Sequence, residues 1–255
     1  MTAGTFAPRP GAAPLGRMVA AQAAFELRLL LRNGEQLLLT LVIPVLVLVG
    51  LTAVPVVDLG DGSAVDTLVP GVLALSVMST AFTSLAISTG FERRYGVLKR
   101  LAVSPLPRGG LLAAKAVTVL AVELVQVLLI GGLGLALGWS PQGAPAAALL
   151  LVLAGTTAFA ALALLMAGTL PAEATLAAAN LVYVLLLLGG AVVLPLDRYP
   201  EPLHALIGAT PAGALAEGLR AVLERGEPMP WAAVAVLLAW AVACGAAAAR
   251  WFRGE

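Results

Sequence analysis

The chain has 255 residues, 60% of them hydrophobic and only 11% charged. Soluble domains carry charge on about a quarter of their residues, so this composition excludes an ordinary water-soluble globule and names lipid as the solvent. The net charge of +1 is spread without a basic face or tail for phosphates, so no nucleic acid is expected as a partner.

Met1–Gly16 holds Pro8, Pro10 and Pro14 among glycines. It is expected to be a flexible tail, and it lacks the continuous apolar core of a signal peptide. Residues 17–34 read as an interfacial helix: Leu27, Leu30 and Leu31 form one stripe and Arg28, Arg32 and Glu35 another. Asn33-Gly34 then marks a helix end and a fresh start. A bilayer core of about 30 Å takes about 20 apolar residues as a helix. Six stretches within a transmembrane domain over 35–255 supply them: Gln36–Val57, Thr67–Thr89, Leu111–Leu137, Ala146–Thr169, Ala174–Leu194 and Trp231–Ala249. The predicted fold class is an all-α membrane protein with six transmembrane helices. Pro44 and Pro55 are tolerable in the first, because neighbouring helices can satisfy the backbone groups that proline frees.

Cations set the orientation. Arg9, Arg17, Arg28, Arg32, Arg93, Arg94, Lys99, Arg100, Arg108, Lys115, Arg250 and Arg253 fall on one side, twelve of the 15 in the chain. Arg198, Arg220 and Arg225 fall on the other, whose first loop carries Asp58, Asp61 and Asp66. The positive-inside rule places both termini in the cytoplasm. Within the connection from Pro195 to Pro230, His204, Pro211, Glu217 and Arg220 argue against a seventh span, since a centrally placed charge costs about 2.5–3.5 kcal/mol. Leu215, Leu219 and Val222 share one face and Glu217, Arg220 and Glu224 another. This predicts an amphipathic helix at the outer surface, or one dipping partly back in.

Between the second and third spans runs Phe91-Glu92-Arg93-Arg94-Tyr95-Gly96-Val97-Leu98-Lys99-Arg100-Leu101-Ala102-Val103-Ser104-Pro105-Leu106-Pro107-Arg108. Charge alone allows a basic loop that serves topology only. Ser104-Pro105 and Pro107 stop the short helix. The residue order resembles the coupling segment of the ABC-2 family of ABC-transporter permeases, in which an acidic-basic pair and a glycine precede a short basic helix and a proline turn. Glu26-Leu27-Arg28 with Arg32 and Pro44 is similar to that family's entry. Leu194-Pro195-Leu196-Asp197-Arg198-Tyr199-Pro200, Thr210-Pro211 and Glu217-Gly218-Leu219-Arg220 are similar to its outer segment. The resemblance covers most of the chain and is closest to the family's small drug and antibiotic exporters. It implies that Glu92, Arg93, Arg94, Gly96, Leu98, Lys99, Arg100, Leu101 and Pro105 couple the spans to a separate ATPase subunit, with Gly96 giving close backbone approach. It also implies a second permease chain, identical or homologous, and a cargo that is an amphiphilic small molecule or lipid. A polysaccharide chain is the alternative cargo.

The polar groups within the spans carry two readings. Glu123 lies about 12 Å deeper than Lys115 at 1.5 Å per residue and costs about 3 kcal/mol if central, which the surrounding Leu, Ile and Val residues offset at about 0.3–0.6 kcal/mol each. It reads as a packing contact or as a contact with the transport path alongside Gln126. Thr80, Thr83 and Ser84, with Ser76, Ser79 and Ser88, and Asn180 and Tyr183, either line the path or bond back to their own helices. Gly134-x-x-x-Gly138 reads as packing. A phosphate-cradling loop needs glycines ahead of Lys and then Ser or Thr. Arg100 follows Lys99 and Ala116 follows Lys115, so ATP and Mg are expected on the partner, with no cofactor in this chain. Lone Cys244 reads as a packing residue and forms no internal disulfide. His204 is the sole histidine, so no histidine-based metal cluster is expected. An ATP-independent transporter or channel would want paired intramembrane charges or repeated broken helices, and Glu123 alone supports it thinly. A membrane-embedded enzyme would want clustered acids or histidine, and ranks last. In a Cys244→Ala background, cysteines introduced at Gly62 and Leu98 are expected to react with impermeant reagents from opposite faces of the membrane. Same-side labelling overturns the orientation.

Overall fold

The computed structural model describes residues 11–53 and 63–251. Met1–Pro10 of the expected tail, the end of the first expected span with Pro55, the acids Asp58 and Asp61, and Arg253 lie outside the described residues. Every regular element among the described residues is a helix, as lipid requires of a chain that does not close a barrel.

Helix α1 (Leu15–Leu31) takes Leu15 and Gly16 from the expected tail. Asn33 Oδ1 accepts the Gln36 N–H at 3.3 Å, the capping interaction that starts the next helix. That helix, α2 (34–53), is α-helical at Gly34–Leu37, widens to a π-helix at Leu38–Val42 and returns to α at Ile43–Ala53. The elements that follow are α3 (Ala64–Arg94), α4 (Val97–Ala102), α5 (Arg108–Ala136) and α6 (Pro145–Thr169). Then come α7 (Ala172–Gly189), a 3₁₀ turn at Leu196–Arg198, α8 (Glu201–Gly208), α9 (Pro211–Leu223) and α10 (Trp231–Trp251). Helices α3, α5, α6, α7 and α10 are long and apolar enough to cross a membrane; Thr40–Ala53 is a shorter apolar helix.

Helix α3 is the axis of the molecule. In its most apolar stretch 94% of residues are buried, against 17% in α7. It contacts α2, α5, α6, α7 and α9, while α1 lies along α5 and α10 along α6. Leu68, Val72, Leu75, Met78 and Phe82 of α3 meet Leu215 and Leu219 of α9 and Phe159 of α6 in one core. Helix α3 widens to π at Met78–Ser84, level with the π segment of α2 that it contacts. Single π turns within α-helices recur at functional sites.

The connection before the last span departs from its expected form. Helix α9 is not an amphipathic rod with a polar face outward. It is buried from Pro211 to Leu223 except at Glu217, packed on α3, α6 and α10. Arg220, read from its spacing as part of a polar face, is wholly buried. The fifth span is also shorter than Ala174–Leu194. It stops at Gly189, and Ala191 turns back with φ of 51°, a left-handed conformation costly for a residue with a Cβ.

One side chain explains both departures. The Arg220 guanidinium donates to the carbonyls of Ala191 (2.5 Å), Val192 (2.7 Å) and Thr67 (3.3 Å), and to Glu217 Oε1 (2.8 Å). Glu217 Oε1 also accepts the Leu196 N–H at 3.0 Å, and Thr67 Oγ1 donates to Glu224 Oε1 at 2.5 Å. At Gly71 an added Cβ would collide with the Val192 carbonyl and the guanidinium, so only glycine lets the broken end of α7 approach α3. Removing one partner of a buried pair costs about 3–5 kcal/mol. Arg220→Ala is therefore expected to destabilise the fold by about that amount, read by reversible unfolding in bilayer mimics, with Arg225→Ala on the exposed neighbour as the near-silent control.

Candidate functional site

The sequence between α3 and α5 folds into an elbow. Helix α3 ends at Arg94, and Gly96 follows with φ of 68°, the left-handed position at which glycine closes a helix at least cost. Among the described residues a Cβ at Gly96 would meet nothing within 4 Å, so within this chain the need for glycine is conformational. Helix α4 runs six residues. Ser104 Oγ then donates to the Leu101 carbonyl at 2.6 Å and accepts the Leu106 N–H at 3.3 Å, and Pro107 stands as the residue before α5.

Exposure divides the elbow into tip and root. Tyr95 (62% exposed) and Val103 (88%) face outward, as do Lys99, Arg100 and Pro105, with Leu101 half-buried. The side chains of Leu98 and Ala102 lie outside the described residues. At the root, Glu92, Arg93 and Arg94 are bonded within the chain. Lys115 Nζ on α5 donates to Glu92 at 2.8 Å and lies 3.6 Å from Glu26 of α1. The Arg93 guanidinium donates to the carbonyls of Gly168 (2.7 Å) and Leu170, which close the C-terminal end of α6, where orphan carbonyls favour a cation. Arg94 pairs with Glu173 at the start of α7, an exposed pair of small worth. The elbow is thus bolted to four helices: α1, α5, α6 and α7.

The polar groups of the spans separate into two sets. Pro44 has no N–H to return to the Thr40 carbonyl four residues earlier, and Gln126 Nε2 supplies that bond at 2.5 Å. Gln126 Nε2 also lies 2.9 Å from Thr80 Oγ1. Gln36 Nε2, in the turn just before the π segment of α2, donates to Ser84 Oγ, a second bridge between α2 and α3. Glu123 is buried, but its partner is Thr156 Oγ1 of α6 at 2.7 Å, not Gln126. Glu123 Oε1 and Thr83 Oγ1 find no partner among the described residues. Ser76, Ser79 and Ser88 bond back to their own helix. Asn180 instead faces outward from α7, with Tyr183 half-buried nearby. The structure brings Thr80 and Gln126 together, leaves Thr83 and Glu123 within the packed bundle, and sets Asn180 and Tyr183 on its rim.

Sequence reasoning did not find Lys115 as the hub of two carboxylates, or Arg220 as an internal clamp. Lys115 had been counted as a topological charge. Its signal was a lysine a full turn inside an apolar helix, where a lone cation is costly and a carboxylate partner is required. Among the described residues no group of His, Cys, Asp or Glu is arranged to hold a metal ion.

An all-helical bundle with five helices, among the described residues, long and apolar enough to cross a membrane fits a multi-pass membrane protein. The chain belongs to the ABC-2 type transporter family: the model of that family matches residues 19–223, which include the elbow, the polar groups of the spans and the Arg220 clamp. A comparison with curated proteins gives no match.

Proposed function

We propose that this chain is the permease subunit of an ATP-driven exporter that moves an amphiphilic small molecule or lipid out of the cytoplasm. A separate ATPase subunit supplies the power, as ABC-2 permeases generally work with ABC ATPases. One observation supports this above others: the elbow presents Tyr95, Lys99, Arg100 and Val103 to the outside while its root is bonded into four helices. A load applied at such a tip is transmitted, because packed helices tied by buried hydrogen bonds shift as bodies.

In this reading both termini are cytoplasmic in the cell membrane and α2 completes a sixth span. ATP and Mg stay on the partner. ATP binding draws the partner's halves together and moves the elbow; hydrolysis resets it. Lys99, Arg100 and Pro105 with Leu98 and Leu101 form the docking tip, Gly96 sets its angle, and Glu92, Arg93 and Arg94 carry the motion inward. Asn180 on the outer face of α7 supports pairing with a second permease chain, since an amide facing hydrocarbon gains by finding a partner. Thr80, Thr83, Ser84, Glu123 and Tyr183 then sit beside the cargo route. The exposed apolar surface of α5, α7 and α10 suits lipid and amphiphiles better than a hydrophilic polysaccharide.

The purified chain is expected to hydrolyse no ATP alone and to co-purify with a separate ATPase. The double reversal Lys99→Glu/Arg100→Glu should lower that co-purification at least tenfold with membrane insertion unchanged. Arg93→Ala should retain the partner and lose about tenfold in transport per ATP. Full transport by both variants contradicts the coupling role.

A further inference from the structure

A cavity of about 110 Å³ opens where α1, α2, α3 and α5 meet at the root of the elbow. Its polar wall is built from Glu26, Gln36, Ser84, Ser88, Glu92 and Lys115. Leu29, Leu30, Leu85, Val119 and Val122 form the apolar wall, and Leu29 is 54% exposed at its lip. The π segment of α3 borders this space through Thr80 and Ser84, and Gln36 enters it from the α-helical turn that precedes the π segment of α2.

We propose that this cavity binds the headgroup of an ammonium-bearing amphiphile; the assignment of that ligand as cargo rests on the exporter reading above. Charge and hydrogen bonding both select the ligand. Two carboxylates, Glu26 and Glu92, share the single ammonium of Lys115, a formal excess of one negative charge in a largely buried place. Each donor group on the wall has a partner within the chain. Lys115 donates to Glu92, Gln36 Nε2 to Ser84 Oγ, Ser88 Oγ to the Leu85 carbonyl and Thr118 Oγ1 to the Ala114 carbonyl. Gln22 Nε2 donates to Glu26 Oε1 at 2.9 Å, yet the two carboxylates together have a single cation against them, so an incoming ammonium gains by donating to their remaining oxygens. A phosphate or carboxylate would face the two carboxylates with the only lysine of the wall already paired. The volume suits a small headgroup and its first methylenes, given about 30 Å³ for a liquid water molecule. The apolar body of the ligand then lies along Leu29 and Leu30, as amphiphiles keep their stems on apolar surface.

Binding to the permease alone, without ATPase or nucleotide, separates this site from the exporter reading: either can fail while the other stands. The probe is a dansyl-tagged twelve-carbon amine, with its carboxylate and uncharged amide analogues, followed by fluorescence anisotropy in phosphatidylcholine nanodiscs. The amine is expected to bind at least tenfold more tightly than either analogue. Glu26→Gln removes the excess charge and should weaken the amine about tenfold, whereas Lys115→Gln leaves both carboxylates to the ligand and should bind it no less tightly. Ser88→Leu fills the cavity without changing charge and should abolish binding; a well-folded Ser88→Leu that still binds overturns the site. Equal affinity for the three probes overturns it too, as does equal weakening by Glu26→Gln and Lys115→Gln. Competition by phosphatidylethanolamine nanodiscs supports the site and assigns the ammonium to lipid; its absence assigns it to a free amphiphile.

Discussion

Hydrocarbon offers no hydrogen bonds, so where a helix in this bundle stops or meets a proline its freed carbonyls need another donor, and at three places a side chain from elsewhere supplies it. Three long polar side chains do this. Gln126 of α5 answers the Thr40 carbonyl that Pro44 leaves short. Arg220 of α9 answers Ala191 and Val192 where α7 breaks off. Arg93 of α3 answers Gly168 and Leu170 where α6 turns into α7. Each joins elements far apart in sequence, and leucines alone could not do it, because lipid is as apolar as leucine and gives helices little reason to choose one another.

The placement of these answers sorts the molecule by role. At one end the Arg220 clamp holds α9 against α3, closing that end with a packed plug. At the other, Glu92, Arg93 and Arg94 stand within three residues on the last turn of α3 and reach three different helices, so the elbow cannot swing without them. Between the ends lie the two π segments, where α2 and α3 are bridged by Gln126 and by Gln36 with Ser84.

The helical class and the long apolar spans were legible in the sequence because both depend on composition over about 20 residues, which no tertiary contact overrides. The Asn33-Gly34 break and the stop of the short helix ahead of Ser104-Pro105 were legible for the same local reason: backbone conformation there follows from the residues present. The Arg220 clamp was not. Periodicity placed Arg220 on a face with Glu217 and Glu224, and only the arrival of the Ala191–Val192 carbonyls from another helix turned that face inward. The same holds at the elbow, where the resemblance marked Glu92, Arg93 and Arg94 for coupling but gave no sign of their partners Lys115, Gly168 and Glu173, which lie more than 20 residues away. At Gly96 the positive φ of 68° gives a local conformational reason for the glycine.

The claim on which the functional account turns is that force enters through the elbow from a nucleotide-driven partner. Proteoliposomes carrying the chain with and without its ATPase subunit, loaded with a fluorescent amphiphile and with or without ATP, test it directly. The account predicts movement of the amphiphile only when partner and ATP are both present. Movement at full rate with the chain alone and no nucleotide would contradict it.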